Sequence, residues 1–370
     1  MTVQQSMKGD RTMSRVIIRS LGLAALLALA ASSAWAGSDE RKGTSGASEL
    51  TIPVGPRGSA LGSSVAAEIT GAEAIYWNPA GIAGQEGTEV MFSNTSYFAD
   101  MTVNYVAFTA QAGALGSVGF NVKMLSIGDI IVTTEQAPDG TGEIAKPTFT
   151  VLGASWARSF TDRVRFGGTV NFINEKVLDM TAGGVAVDLG VQYDSGWKGM
   201  RLGMVMKNFG GSMSFDGSGL DVSTPPPGSD PSSSPRTLSF STSEFELPSY
   251  FSLATSFNAW QNGPSRLVVM GSFQNNNFGG DAFNAGAEYN LKNQFFLRGS
   301  WFGTMSSTPD PNTGEDSMEF GTGDDLYSGF AIGAGAAVKA GSSNLGFDIT
   351  FRPVKNYFDD IVEMGLRLKF

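Results

Sequence analysis

From about residue 88 to Phe370, apolar side chains recur at every second position rather than at the three-to-four spacing of a helix. The pattern is cleanest in the last segment. There Val362, Met364, Leu366, Leu368 and Phe370 alternate with Glu363, Gly365, Arg367 and Lys369. A strand built this way has one oily face and one polar face. The same alternation sets Val118, Phe120, Val122 and Met124 against Gly119, Asn121 and Lys123, and Leu345, Phe347, Ile349 and Phe351 against Asp348 and Arg352. Fourteen strands are predicted, over 88–97, 101–111, 116–126, 147–158, 163–175, 182–193, 200–209, 248–258, 265–274, 281–290, 293–303, 328–339, 343–353 and 360–370. Segments 147–158 and 281–290 alternate poorly.

The connections sort by parity. Those after even strands are short, whereas the three long ones, 127–146, 210–247 and 304–327, all follow odd strands. Outer-membrane barrels have short periplasmic turns and long external loops, and a soluble β-sandwich has no reason to sort its loops so. The expectation is an all-β fold, a transmembrane antiparallel β-barrel of about 14 strands over 88–370, starting from the periplasmic side. Ten or eleven residues per strand, tilted, match the roughly 25 Å apolar band of such barrels.

The first 87 residues follow other rules. Residues 1–36 read as a cleavable signal peptide: Lys8, Arg11, Arg15 and Arg19 precede the apolar run Leu21–Ala31, and Ala34-Trp35-Ala36 fits the small-x-small cleavage rule. The expected address is a Gram-negative-type outer membrane. Residues 37–87 are then an N-terminal periplasmic segment and plug. A fourteen-stranded lumen is too wide for wall side chains alone to fill, and 57–87 carry Ile69, Ile75, Tyr76, Trp77 and the turn formers Asn78-Pro79-Ala80-Gly81. The small residues Ala331, Gly333, Gly335 and Ala337 on one strand face suit a crowded interior.

Composition narrows the chemistry. Gly is 48 of 370 residues, and Cys and His are both zero. Imidazole and thiolate chemistry is therefore absent, and no enzyme activity, cofactor or metal site is expected. Loop 304–327 holds Asp310, Asn312, Glu315 and Asp316, but its spacing departs from the twelve-residue calcium loop and reads as a solvated acidic loop. Acidic residues outnumber basic ones 35 to 25, so nucleic acid is not an expected partner. Both signs of charge face the predicted lumen: Lys123, Arg165, Glu175, Asp188, Arg201, Lys207, Glu288, Arg298, Asp348, Arg352, Glu363 and Arg367.

The run Gly71-Ala-Glu-Ala-Ile-Tyr-Trp-Asn-Pro-Ala-Gly81-Ile resembles the N-terminal signature of the PorV/PorQ family, within the wider FadL-like group. The resemblance continues in Gly87–Val90, Gly128–Glu135, Phe160–Arg163 and Lys207-Asn-Phe-Gly210. It implies a fourteen-stranded barrel whose luminal hatch carries Trp77, Asn78, Pro79, Ala80 and Gly81. It also implies that Met364, Leu366, Leu368 and Phe370 form the signal read by the barrel-assembly machinery. The implied function is binding of exported or surface proteins as a type IX secretion component, with secreted cargo and other secretion components as partners beside the outer-membrane lipid. The alternative is a FadL-like channel for hydrophobic small molecules, with an apolar pocket above the plug lined by residues such as Phe215, Phe302 or Met305.

Overall fold

The computed structural model describes residues 41–225, 228, 230, 234–309, 316–321, 329–354 and 359–370, with the backbone alone over 306–309 and 316–321. The predicted signal peptide lies outside the described residues, as do Asp310, Asn312 and Glu315 of the acidic loop.

Fourteen strands form the wall: β1 Glu89–Ser96, β2 Thr102–Gln111, β3 Ser117–Ser126, β4 Thr148–Ser159, β5 Val164–Val177, β6 Met180–Asp194, β7 Arg201–Gly210, β8 Tyr250–Asn262, β9 Ser265–Asn276, β10 Asp281–Leu291, β11 Phe295–Pro309, β12 Gly329–Ala340, β13 Ser343–Arg352 and β14 Ile361–Lys369. Each pairs antiparallel with its sequence neighbours, and β1 pairs with β14 from Glu89↔Lys369 to Ser96↔Val362, which closes the barrel. Closure leaves no free edge, as a strand wall in lipid requires.

The alternation in sequence is the alternation of faces. Phe92, Val106, Phe120, Leu152, Phe172, Phe347 and Leu366 are exposed on the outside, while Lys123, Asp188, Glu288, Arg298, Asp348 and Glu363 are buried on the inside. An exterior of exposed apolar side chains with a charged interior is the surface of a membrane-spanning barrel. The two poorly alternating segments are strands nonetheless. In β4, Gly153, Ser155 and Ala157 face inward and are buried, because the lumen there is filled from within. In β10 the outward positions include the small Ala285 and Ala287, so the apolar signal fades on the lipid side.

The loop parity also holds. All long connections emerge at one rim, and the turns after even strands lie at the other. Small hairpins rise from the long-loop rim, pairing 130–131 with 144–145 and 221–224 with 236–239, and the strand 316–321 extends β11.

Residues 41–87 run through the lumen as short helical turns: 3-10 turns at Ser48–Thr51, Gly62–Ala67 and Pro79–Gly84, and two α-helical turns, α1 Pro56–Leu61 and α2 Ala74–Trp77. Their apolar residues Val54, Leu61, Val65, Ile69, Ile75 and Ile82 form one core with Met91, Tyr105 and Val268 of the wall. Sequence reading makes 37–87 a segment at the periplasmic end together with a plug in the lumen. In the structure that end holds its last residues, where Thr88 and Phe370 exchange backbone hydrogen bonds. Arg41 lies at the long-loop rim instead. Its guanidinium pairs with Glu246 at 2.7 Å, donates to Asn277 Oδ1 in the β9–β10 turn and stacks on Phe278.

Candidate functional site

Three features meet inside the barrel: the plug's anchoring to the wall, an apolar cluster at the long-loop end, and an interruption in the wall ladder between them.

The turn predicted from Trp77 to Gly81 is the plug's contact with β5 and β6. Asn78 is fully buried. Its Oδ1 accepts from the Ala80 N–H at 3.1 Å, which caps the turn Pro79–Gly84. Its Nδ2 donates to the carbonyls of Ala66, in the plug, and Val191, in β6, at 2.8 and 3.1 Å. One side chain thus ties two plug turns to the wall. The wall receives this turn at Gly167 and Gly190. A Cβ at Gly190 would overlap Asn78 Oδ1, and one at Gly167 would overlap the Pro79 carbonyl. Trp77 donates from Nε1 to the Val54 carbonyl at 2.9 Å, closing the plug on itself. Met364 and Leu366 face outward and are exposed, Leu368 is half-buried, and Phe370 is exposed beside the β1–β14 seam. They take no part in the luminal site.

On the opposite wall an ionic network holds α1. Arg57 makes two hydrogen bonds to Glu288 at 2.8 and 3.1 Å. Arg298 bridges Glu288 and Asp348, and Arg367 pairs with Asp348 at 2.7 Å. Carboxylates also serve the first turn of α1, with Glu363 accepting from Gly55 N and Glu73 from Gly58 N. Burial raises the affinity of the Glu73 carboxyl for its proton, against the opposing pull of Arg367 and the Gly58 N–H. These links explain why the inward charges carry both signs: Lys123, Arg201, Lys207, Glu288, Arg352 and Glu363 bond directly to the plug, and Arg298, Asp348 and Arg367 brace them within the wall.

The wall ladder is interrupted between β6, β7 and β8. The β6–β7 register shifts between Val187 and Leu189, where Lys207 and Asn208 together oppose Asp188. This is a β-bulge. Asn208 takes a left-handed conformation, with φ 58°. Its N–H donates to Asp188 at 2.7 Å and its Nδ2 to the Pro248 carbonyl at 2.9 Å. The β7–β8 ladder stops at Lys207↔Tyr250. Beyond it, continuity rests on that Asn208–Pro248 bond, one bridge, Met213↔Phe245, with two hydrogen bonds of 2.8 Å, and two side-chain bonds, Ser212 Oγ to Glu244 at 2.6 Å and Thr242 Oγ1 to the Phe215 carbonyl at 2.7 Å.

Just inside the bulge, Lys207 Nζ donates to the Tyr76 carbonyl at 2.6 Å and stands 3.5 Å from the centre of its ring, with Lys123 Nζ at 4.9 Å. Two pieces of the sequence resemblance, Gly71–Ile82 and Lys207–Gly210, are therefore in contact. A polar cavity of about 20 Å³ lies there, lined by Tyr76, Tyr105, Asn121, Lys123, Asp188 and Lys207 among others. That is room for about one water.

Above this level, toward the long-loop rim, Ala47, Leu50, Val151, Ile173, Ala182, Ala186, Met213 and Leu247 form a separate buried apolar cluster, with Phe215 and Phe245 packed on it. Phe215 and Phe245 have ring centres 5.9 Å apart. The expected outer pocket at Phe215 is thus an apolar site filled by the protein's own side chains. Phe302 and Met305, half-buried in β11, are not in this cluster. Sequence reasoning missed Asn208 and the 245–247 segment. An Asn in an otherwise regular strand was the one available signal of a bulge.

No protein-family model matches the chain, and no curated protein sequence matches it. Solved structures match its fold. The chain is similar to the CymD monoaromatic hydrocarbon channel, with 12% identity and a TM-score of 0.51 over 86% of this chain and 98% of that one. The Ralstonia pickettii toluene transporter TbuX gives the same figures. A deltaS2 mutant of the TodX monoaromatic hydrocarbon channel matches at 12% identity and a TM-score of 0.51, over 86% and 99%. At this identity the likeness shows a shared fold alone, a closed antiparallel β-barrel of fourteen strands. The PorV/PorQ resemblance gains no support from these matches.

Proposed function

We propose that the protein is an outer-membrane channel for hydrophobic small molecules, closed at rest by its plug. The observation that carries this reading is the stacking of the apolar cluster at Met213, Phe215, Phe245 and Leu247 directly on the interrupted stretch of wall at Asn208. An apolar solute arriving from outside replaces one set of apolar contacts with another there, at little net cost. Straight passage down the lumen would bring it among Lys207, Asp188 and Lys123, whose charges gain nothing from an apolar neighbour. A sideways exit costs the hydrogen bonds of one bridge, of Asn208 and of the Ser212 and Thr242 hydroxyls, about 1 kcal/mol each. The shared fold with hydrocarbon channels supports the same reading. Protein secretion, which the sequence resemblance implies, has no supporting feature in the lumen.

The chain has no native Cys, so a single engineered disulfide tests the route. Met213 and Phe245 exchange both backbone hydrogen bonds, which sets their Cα atoms about 5.5 Å apart, within the range a disulfide spans. In outer membranes of a host lacking its own hydrocarbon channel, the wild type is expected to speed uptake of radiolabelled toluene. Met213→Cys with Phe245→Cys is expected to abolish that gain when oxidised and restore it on reduction. No gain by the wild type refutes the channel. A gain unaffected by oxidation refutes the seam as its route.

A further inference from the structure

The long-loop end of the plug carries a pair of buried acids that the channel reading does not use. Glu49, in the turn Ser48–Thr51, is 1% exposed, and Glu175, on β5, is 4% exposed. Ala47 and Leu50, which flank Glu49, pack against Ile173, two positions before Glu175 on the same buried face of β5, so the two acids share one pocket, and each carboxyl acts on the other. Neither oxygen of Glu49 finds a hydrogen-bond donor among the described protein groups. The surroundings are otherwise apolar, with Ala47, Leu50, Val151 and Ile173 packed in the same cluster.

The other charged groups facing this site do not neutralise it. Lys123 of β3 directs its ammonium to the backbone carbonyls of Glu49 and Ile52, at 2.5 and 2.6 Å. Its charge opposes the rise of the Glu49 carboxyl, but less than burial and Glu175 promote it; Lys207 on β7, Asp188 on β6 and Glu363 on β14 stand beyond and act on Lys123. Two carboxylates side by side and out of water do not both stay ionised. A proton held between them supplies the donor that Glu49 lacks and turns repulsion into a hydrogen bond.

We propose that Glu49 and Glu175 form a proton-held latch that pins the outer end of the plug, residues 41–52, to β5. The latch is closed in acid and loosened in alkali.

Burial, and then the charge of Glu175, push the Glu49 carboxyl up to about 8, against 4.5 for a free glutamate. The latched state therefore holds its proton more tightly than a released state with Glu49 in water. The stabilisation is complete below about 4.5, declines as pH rises, and is gone above about 8. One proton bounds the steepness at about tenfold in the open-to-closed ratio per pH unit. The latch lies at the long-loop rim, so it responds to the external medium. It stands independently of the channel reading, because its readout is plug opening and not transport.

The test is hydrogen exchange on the full protein in lipid nanodiscs from pH 5 to pH 9, normalised to the intrinsic rate at each pH. Opening of 41–52 is expected to rise at least tenfold across the range, with 79–88 unchanged. Glu49→Gln places a permanent amide donor against Glu175 and is expected to flatten the dependence. Glu175→Gln does the same from the wall side and carries the test if the first variant fails to assemble. A flat wild-type profile overturns the proposal, as does a pH dependence that survives in a Gln variant.

Discussion

Replacing Asn78 by Ala tests how the plug is held. The substitution removes the cap of the turn Pro79–Gly84, worth about 1 kcal/mol. It also removes two buried hydrogen bonds, to the carbonyls of Ala66 and Val191, at about 1 kcal/mol each. The Ala66 carbonyl keeps its bond from Gln192 Nε2 at 3.0 Å, so it is not stranded by the change. The total is about 3 kcal/mol, or roughly a hundredfold rise in the population with this turn detached. None of the lost bonds belongs to a strand ladder, so the barrel wall should be untouched. Hydrogen exchange over 62–84 reads the detachment, and the heat-induced shift in gel mobility reads the wall. The expected result is about a hundredfold faster exchange in the plug peptides with the unfolding temperature of the barrel unchanged. Unaltered exchange in 62–84 would refute the assignment of Asn78 as the tie between plug and wall. Loss of the folded barrel would refute the separation of plug stability from wall stability.

Two further substitutions probe the same parts from the wall side. Gly190→Val places a side chain where Asn78 Oδ1 and Pro79 now sit, so it should eject the turn as strongly as Asn78→Ala; solvent labelling of an Ala80→Cys reporter checks this. Asn208→Val forces a β-branched residue into a left-handed position and removes the side-chain bond to Pro248. It should raise toluene uptake several-fold by loosening the seam, and unchanged or lower uptake counts against the seam as the route.

Much of the wall was legible in the sequence, because a lipid-facing barrel forces the period of two on nearly every strand. The loop asymmetry gave the direction of the strands as well. The inward charges could be named one by one, since most, such as Lys123, Asp188, Asp348, Glu363 and Arg367, sit between two outward apolar residues. What could not be read was their pairing. Arg57 finds Glu288, 231 positions away, because barrel closure and plug threading set the distance, and neither leaves a mark in local periodicity. The bulge at Lys207–Asn208 was hidden for a related reason: one extra residue in one strand barely disturbs an alternation read over ten. The direction of the plug leaves no local mark either, because Arg41 is anchored by Glu246 and Asn277, partners on two separate connections.

The path of the plug sets an order of events. Residues 41–87 run from the long-loop rim to the opposite end, where Thr88 meets Phe370 and β1 zips to β14. Once those two strands join, the chain is a thread inside a ring whose bore it already fills. Drawing it through afterwards would take Arg57, with its charge, past the wall's apolar and acidic residues through a passage with little free space. Assembly therefore favours a nearly complete curl of strands that gathers the N-terminal segment first and closes around it last. On that view the plug is a template for the curvature of the wall, and the final strand pairing seals a core that is already packed.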